Sequence, residues 1–188
     1  MLRSEIENAL KVLKDGGVIL YPTDTIWGLG CDATNEEAVN KIIKIKNRSE
    51  EKNFIVLLDV DSKLQSYVSE IPDVAYDLIE YAENPLTIVF SGAKNLAKNV
   101  INKDGSVGIR IVKHEFCQQL IQRFRKPITS SSANVSGFPS PARFSDIDES
   151  ILEAVDYVVD WEQDLNTEKK PSTIMKLTAN GQFSFLRK

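Results

Sequence analysis

The chain has very little histidine and cysteine and no long apolar run. Its 188 residues include one histidine and two cysteines. A zinc site with several histidines is therefore excluded, and a Ser-His-Asp triad would have to use His114. Cys31 and Cys117 form no C-x-x-C motif, so we expect both to be reduced and buried, in a cytoplasmic protein. No apolar run is long enough to cross a bilayer.

The sequence also lacks the glycine-rich loops with which many proteins bind nucleotides. It contains neither G-x-x-x-x-G-K-[ST] nor G-x-G-x-x-G. The net charge of −4 and the sequence pI of about 5.2 argue against non-specific binding of nucleic acid over the whole surface, but they leave room for a local basic cleft. A polyphosphate would therefore have to be held by other groups.

Length and pattern predict one α/β domain. A chain of this size can bury a core of its own, so we expect residues 1–188 to form a single domain. Helical and extended patterns alternate along the chain. The last two predicted strands, over 173–177 and 183–186, are joined across Asn180-Gly181 as a hairpin. This arrangement predicts a mixed sheet.

Capping and periodicity place the remaining elements. Ser4 and Glu7 have capping-box spacing, and Asn35 can cap a second helix. His114 precedes an apolar-periodic stretch and is interpreted as a helix start on the surface. Helices are predicted from residue 4 to the glycines at 16 and 17, and over 35–46, 72–81 and 116–124. Strands are predicted over 18–21, 28–33, 54–58, 86–90, 107–111 and 155–159, and from residue 128.

Small hydroxyl side chains follow predicted strands at two places. Thr23 and Thr25 come after the first strand, where alternation puts them on the same side; a polar turn is the simpler alternative. Residues 129–137 read T-S-S-S-A-N-V-S-G, a loop dense in hydroxyl and amide groups that can bind local backbone groups or a ligand. Gly28 and Gly30 indicate that something approaches the backbone closely.

Positive charge is concentrated where the second predicted helix ends. Lys46-Asn47-Arg48 is followed by Lys52, and further lysines precede it. Arginine can bind phosphate bidentately and lysine adds a point charge. The equally open alternative is a solvated helix end whose cations complement the helix dipole.

A second candidate cation lies in a predicted strand. Ser106, Gly108 and Arg110 would share one face of that strand. An arginine that faces a cleft can bind a carboxylate or a phosphate. An ordinary surface arginine is the alternative.

Together these segments resemble the YrdC-like threonylcarbamoyl-AMP synthases, enzymes of transfer-RNA modification. The matching segments are Y-P-T-D-T-I-W-G-L-G from Tyr21, K-N-R from Lys46, S-V-G-I-R from Ser106, S-S-S-A-N-V-S-G from Ser130, S-P from Ser140 and P-S-T-I from Pro171. They follow the family's order and spacing over almost the whole chain. The resemblance implies a short, single-domain form with a twisted mixed sheet flanked by helices and a large concave, positively charged cavity.

The resemblance also implies the reaction. L-Threonine, bicarbonate and ATP would yield threonylcarbamoyl-adenylate and pyrophosphate in a nucleotidyl transfer. ATP would be a substrate and Mg²⁺ is expected with it, although no protein side chain is assigned as a metal ligand. The product would pass to a partner complex that modifies adenosine 37 of transfer RNAs. Direct binding of tRNA or double-stranded RNA stays open, and no membrane partner is expected.

Residue roles follow from the matching motifs. The resemblance implies catalytic roles for Lys46, Arg48, Ser132 and Asn134. It assigns ATP binding to Lys46, Arg48, Lys52, Ser106, Ser132, Asn134, Ser140 and Arg187. It assigns threonine binding to Thr25, Arg110, Ser130 and Ser172. The chain departs from the family at Leu57, where many relatives carry a histidine near the threonine, at Ser49, where proline is usual, and at Asp24, where glutamate is commoner.

Two other functions are compatible with the sequence. The first is an RNA-binding module without catalysis, in which Lys94, Lys98 and Lys103 would extend a basic surface. Its affinity would fall steeply with salt, and ATP with threonine would yield no pyrophosphate. The second is a carbamoyl-transfer domain resembling part of hydrogenase-maturation proteins, which would need carbamoyl phosphate and neighbouring domains.

Overall fold

The protein is built around one β-sheet. The computed structural model describes residues 1–47, 54–165 and 169–188. Nine strands lie within these ranges: β1 (Ile19–Tyr21), β2 (Gly28–Gly30), β3 (Ile55–Leu58), β4 (Leu86–Phe90), β5 (Val107–Ile111), β6 (Ile128–Ser132), β7 (Tyr157–Val158), β8 (Thr173–Leu177) and β9 (Phe183–Arg187). They form a single sheet in the order β7-β1-β2-β6-β3-β5-β4-β8-β9.

The sheet is mixed, as the alternating pattern predicted. Parallel pairs join β1 to β7, β3 to β5 and β4 to β8. The other neighbours are antiparallel, and β8 and β9 form the hairpin expected across Asn180-Gly181. Strand β5 begins at Val107, so Ser106 lies just before the strand and does not share a strand face with Gly108 and Arg110 as predicted.

Helices flank the sheet. They are α1 (Leu2–Lys14), α2 (Glu36–Ile45), α3 (Leu64–Tyr67), α4 (Val74–Glu80), α5 (Glu115–Phe124) and α6 (Glu149–Ala154), with short 3-10 helices at Asp61–Lys63 and Phe144–Asp146. The sequence did not predict α3 and α6, because four and six residues are too few to show a helical period. Among the helices of the described ranges, none combines the length and apolarity that crossing a membrane requires.

The two predicted helix caps had different outcomes. Asn35 caps α2, since its Oδ1 accepts hydrogen bonds from the backbone N of Glu37 and Ala38 at 3.0 and 3.2 Å. The capping box at Ser4 is wrong. Helix α1 already begins at Leu2, and the Ser4 hydroxyl donates to the Met1 carbonyl at 2.7 Å inside the first turn. A serine inside a helix commonly makes such a bond to the preceding turn.

Apolar residues pack on both faces of the sheet. On one face α1 and α5 contribute Ile6 and Phe116, which cluster with Leu57 of β3. On the other face Ile42 of α2 clusters with Val56 of the same strand. Adjacent strand residues point to opposite faces, so both faces of β3 are apolar and both are covered. Each fully buried large side chain contributes about 1.5–3 kcal/mol relative to an exposed one.

Glycines in β2 make room for the ring of Tyr21. A Cβ added to Gly30 would lie 2.5 Å from Cε1 of Tyr21 and 3.0 Å from the Thr129 carbonyl oxygen. Tyr21 is fully buried and its hydroxyl donates to that carbonyl at 2.9 Å. Burial raises the pKa of Tyr21 well above its ordinary value, so the phenol stays protonated and can donate. At Gly30 the close approach is therefore made by a ring of the same chain.

Replacing Gly30 by alanine is expected to destabilise the fold by about 1–3 kcal/mol, because the hydrogen bond and burial of Tyr21 prevent its ring from moving away. Denaturant unfolding would measure the change. Gly108→Ala is the matched control, since its new Cβ would lie 3.4 Å from the nearest heavy atom, an ordinary contact with Thr87. Equal stability of Gly30→Ala and the wild type would show that Tyr21 is not fixed in this position.

Candidate functional site

Seven of the predicted substrate-binding residues line one cavity of about 70 Å³. They are Thr25, Ser130, Ser132, Ser140, Ser172, Arg110 and Arg187. All four residues predicted to bind threonine are among them. They come from sequence positions as distant as 25 and 187, so only the fold brings them together.

The cavity lies where one face of the sheet changes from apolar to polar. Along β6, Ile128 belongs to the apolar cluster under α1 and α5, whereas Ser130 and Ser132, which point to the same face, line the cavity. Along β3, Leu57 is fully buried in the cluster and Ile55 lines the cavity. At Leu57 the chain therefore extends its apolar core towards the cavity.

The curvature of the sheet brings its edge to this cavity. Arg187 lies on the edge strand β9, five strand positions from β6, which carries Ser130. In a flat sheet this separation would be about 24 Å. Both side chains nevertheless line the same cavity, so the sheet must twist and curl around it. A concave surface results on that face.

Arg110 is the buried cation of the cavity. It is 2% exposed, and its Nη2 lies 3.2 Å from the Thr25 hydroxyl and 3.2 Å from Oδ1 of Asp24. Oδ2 of Asp24 accepts a hydrogen bond from the backbone N of Lys113 at 3.0 Å. Nε of Arg110 is buried without a hydrogen-bond partner among the described residues. A bound carboxylate or phosphate would provide the missing acceptor.

Arg187 brings a second guanidinium to the cavity. Its Nε donates to the Ser172 carbonyl at 3.0 Å, and the Ser172 hydroxyl lies 2.8 Å from that of Thr87. Burial, and then the charge of Arg110, lower the pKa of Arg187. Two like charges, one on the buried Arg110 and one on the exposed Arg187, thus line one cavity, where an anion between them would be stabilised.

Lys46 holds the backbone of the serine-rich loop. Its side chain is 3% exposed, and Nζ donates to the Ser132 carbonyl and, at 2.6 Å, to the Asn134 carbonyl. Nδ2 of Asn134 donates in turn to the Phe138 carbonyl at 2.7 Å. Three of the four predicted catalytic residues, Lys46, Ser132 and Asn134, are therefore close together. The fourth, Arg48, and the predicted ATP contact Lys52 lie outside the described residues.

A second, larger cavity of about 450 Å³ adjoins the first. Ser140 lines both cavities, and Asn134 lines the larger one. Most of the other lining residues are apolar, among them Val135, Phe138 and Pro139. The two cavities together offer a polar, cationic compartment beside one that is mainly apolar but is also lined by Asp146 and Asp148.

Ser106 lies in neither of these cavities. It belongs to the turn before β5, where its hydroxyl donates to Oδ1 of Asp104 at 2.5 Å and accepts from Nδ2 of Asn102 at 2.9 Å. These two contacts hold the Ser106 hydroxyl in place. The backbone N of Ser106 also donates to Oδ1 of Asp104, at 3.1 Å, and together with the hydroxyl it holds the pKa of the Asp104 carboxyl below its ordinary range. Its contact with ATP stays a prediction.

Some residues around the cavity were not found from the sequence. Thr87, which supports Ser172, is a buried threonine in a strand and gives no sequence signal. Asp24 was noted only as a departure from the family, although it pairs with Arg110. His114 does precede α5, but its placement on the surface is wrong, because its side chain is 9% exposed and its Nε2 lies 3.1 Å from Glu162.

The two cysteines lie in the protein interior and line neither of the two cavities. Cys31 and Cys117 are buried thiols, as predicted. Burial raises the pKa of Cys31 to about 12 and raises that of Cys117 well above its ordinary value, so both stay protonated. In the part of the chain that the structure describes, no group of three or more His, Cys, Asp or Glu side chains is arranged to hold a metal ion.

Fold and site together define a protein with a curled mixed sheet and a cationic, hydroxyl-lined cavity. Residues 11–188 match the Sua5_yciO_yrdC family, described as "Telomere recombination", and the chain belongs to this family. It is 36% identical over 183 residues to the threonylcarbamoyl-AMP synthase of Pseudoalteromonas translucida, with 96% of each chain covered. It is 35% identical over 135 residues to the synthase of Coxiella burnetii, covering 71% and 73% of the two chains.

Solved structures with a similar fold also match this chain. Sua5 of P. abyssi complexed with L-threonine is 27% identical, with a TM-score of 0.82 over 92% of this chain and 50% of that one, so this chain spans about half its length. E. coli YciO has a TM-score of 0.85 over 100% of this chain and 90% of its own, at 24% identity, which shows the fold alone. The predicted family and the twisted mixed sheet are confirmed.

Proposed function

We propose that the protein is an L-threonylcarbamoyladenylate synthase, a nucleotidyltransferase that forms threonylcarbamoyl-adenylate and pyrophosphate from L-threonine, bicarbonate and ATP. The observation that carries the proposal is the meeting of Thr25, Arg110, Ser130 and Ser172 in one cavity that adjoins a larger apolar one. The family membership and the names of the two bacterial relatives support it.

Threonine would bind in the smaller cavity. Its carboxylate would accept the hydrogen bond that Nε of Arg110 lacks, and its hydroxyl would meet the side chains of Thr25, Ser130 or Ser172. A site that hydrogen-bonds a substrate hydroxyl discriminates strongly against analogues without it, because its own polar groups are then left unpaired. Leu57, being buried, leaves this recognition to hydroxyls and guanidinium groups.

ATP would extend from the smaller cavity into the larger one. The base would lie against the apolar walls that include Phe138 and Pro139, with Ser140 at the boundary. The phosphates would approach Ser132 and the cations of the K-x-R segment, and Arg187 and Ser106 would complete the nucleotide site. Together these groups would make the cavity positively charged, as the resemblance implies.

These positions suit the chemistry. The amine of threonine forms a bond to the carbon of bicarbonate and water leaves; the resulting carbamate oxygen then bonds to the α-phosphorus of ATP while the bond to pyrophosphate breaks. Both steps move negative charge from one group to another, and fixed guanidinium, ammonium and hydroxyl groups would stabilise that charge as it shifts. Holding three reactants in one compartment supplies the orientation benefit. Mg²⁺ would neutralise phosphate charge, held through substrate oxygens as is usual for this ion.

The direct test measures pyrophosphate released from ATP, with threonine and bicarbonate each omitted in turn. We expect release only with all three, and much weaker release with α-aminobutyrate, which lacks the threonine hydroxyl. Salt-sensitive binding of double-stranded RNA without pyrophosphate release would instead favour the RNA-binding alternative. In the cytoplasm, the product would pass to the complex that modifies tRNA adenosine 37.

Two serines on one strand should separate the two substrates. Ser130→Ala is expected to weaken threonine binding about tenfold and ATP binding little, and Ser132→Ala the reverse, since a buried group that loses its hydrogen-bond partner costs about 1–3 kcal/mol. Calorimetry with each ligand would measure both constants, and each variant serves as the control of the other. Equal losses for both ligands in both variants would contradict the division of the cavity.

A further inference from the structure

Three titratable side chains form a contact network beside the cavity without lining it. Nζ of Lys169 donates to the Thr23 carbonyl at 2.8 Å and lies 3.2 Å from Oε2 of Glu162. Oε1 of Glu162 lies 3.1 Å from Nε2 of His114. We call these contacts the His114–Glu162–Lys169 brace. It joins the residues after β1, the residues before α5 and the segment before β8.

The backbone of the brace is unusual at Glu162. Its φ of 61° lies in the left-handed region, which is unfavourable for a non-glycine residue. Burial raises the pKa of the Glu162 carboxyl, but the hydrogen bond and charge of His114 and the charge of Lys169 outweigh it and leave that pKa lowered. The carboxylate is thus held charged between two donors in a conformation that the surrounding structure must maintain.

One end of the brace fixes the loop that carries Thr25. Lys169 holds the carbonyl of Thr23, and the Thr23 hydroxyl lies 2.9 Å from the Thr25 hydroxyl. The Thr23 hydroxyl also accepts from the Thr25 backbone N at 3.0 Å and donates to the Ile26 carbonyl at 2.8 Å. Movement of Thr23 would therefore displace the Thr25 hydroxyl that lines the cavity.

The same end of the brace, Lys169, also lies close to Ser172 in the chain. Lys169 precedes Ser172 by three residues, and Ser172 is held from its other side by Thr87 and Arg187. Lys169 thus ties together two chain segments, each of which supplies one hydroxyl to the same cavity. Without this tie the Thr25 loop and the Ser172 segment would share fewer fixed contacts.

We infer that Lys169 is a positioning residue for the amino-acid substrate: its ammonium sets the distance between the Thr25 and Ser172 hydroxyls. The inference rests on the proposed function, because it takes threonine as the ligand of the cavity. Lys169 and Glu162 are 27% and 25% exposed, and ion pairs this accessible to solvent add little to folding stability. The effect of the brace should therefore appear in substrate binding and not in unfolding.

The test replaces Lys169 by methionine, which keeps the length of the side chain and removes the ammonium. We expect the Kd for L-threonine to rise about tenfold by calorimetry, with the Kd for ATP within about twofold of wild type. In turnover, the KM for threonine should rise while kcat at saturation stays within about twofold. Lys169→Arg should restore most of the threonine affinity, since a guanidinium can donate to both the carbonyl and Glu162.

Lys170→Met is the matched control, because it removes the same charge from the exposed neighbouring residue. Threonine binding by Lys169→Met equal to that of Lys170→Met would overturn the inference. So would equal loss of ATP and threonine binding together with a lowered unfolding midpoint, which would indicate a purely structural role. If the wild-type protein binds ATP but not threonine, the proposed function fails, and the role of Lys169 fails with it.

Discussion

Replacing Arg110 by methionine is expected to reduce threonine-dependent pyrophosphate release at least about a hundredfold. Arg110 is 2% exposed, lines the cavity and has a buried Nε without a hydrogen-bond partner among the described residues. A charge-assisted hydrogen bond to a carboxylate in such surroundings is worth about 1.5–3 kcal/mol, and the loss of the positive charge adds to it. Each 1.4 kcal/mol corresponds to a factor of ten in binding or rate. The measurement is pyrophosphate release at fixed ATP and bicarbonate over a range of threonine concentrations.

The same substitution should also cost stability, which has to be separated from the loss of activity. Asp24, whose side chain is 7% exposed, loses its ion pair, and breaking a buried pair on one side costs about 3–5 kcal/mol. The double variant Asp24→Asn/Arg110→Met removes the unpaired charge and should recover much of the stability but none of the activity. Arg123→Met, on the exposed side of α5, is the control for loss of an arginine. Normal turnover by Arg110→Met would mean that the cavity does not bind the threonine carboxylate.

Local sequence signals predicted the parts of the fold that depend on neighbouring residues. Asn35 as a cap and Asn180-Gly181 as a hairpin turn are decided by a few adjacent side chains, and both are confirmed. The hydroxyl-rich stretch that includes Ser130 and Ser132 could be selected as a candidate site because small polar residues directly follow an apolar strand. Helices α3 and α6 were missed because they are too short to show a period.

Features that depend on contacts across strands could not be predicted. Gly30 pairs with Ile19 and Tyr21 pairs with Gly28, so the contact between Gly30 and the Tyr21 ring depends on the pairing of β1 with β2 and on where the ring lies. The pairing of Asp24 with Arg110 joins residues 86 positions apart in the sequence, and Thr87 reaches Ser172 only because β4 and β8 are neighbours. The resemblance to a family named the site residues, but it did not indicate how each is held.

Lys46 shows most clearly the difference between what a sequence pattern predicts and what only the structure reveals. Its sequence context indicates a cation at a helix end, open either to phosphate or to solvent. In the structure it is the C-cap residue of α2, and Asn47 beyond it takes the left-handed conformation that commonly ends a helix. This turn directs the ammonium into the protein, where it donates to the carbonyls of Ser132 and Asn134. A sequence pattern gives the charge at this position but not the direction of the side chain.

Lys46→Met is therefore expected to affect ATP and the loop together. The Ser132 and Asn134 carbonyls would lose this donor at a cost of about 1–3 kcal/mol each, and the loop that carries both residues would loosen. For a chain of this size the unfolding midpoint should fall by about 4–24 °C. Pyrophosphate release should fall at least about a hundredfold, whereas the Kd for threonine should stay within about threefold, since Thr25 and Arg110 are held by contacts that do not involve Lys46.

Lys44→Met is the control for Lys46→Met, because it removes an exposed lysine from the same helix and should leave both readouts unchanged. The two measurements divide the possible results. A lowered midpoint with normal pyrophosphate release would limit Lys46 to a structural role in the loop. A normal midpoint with lost release would mean that the ammonium acts on the nucleotide alone. We expect a lowered midpoint and lost pyrophosphate release, with threonine binding retained, because the Lys46 ammonium organises the Ser132–Asn134 backbone for ATP.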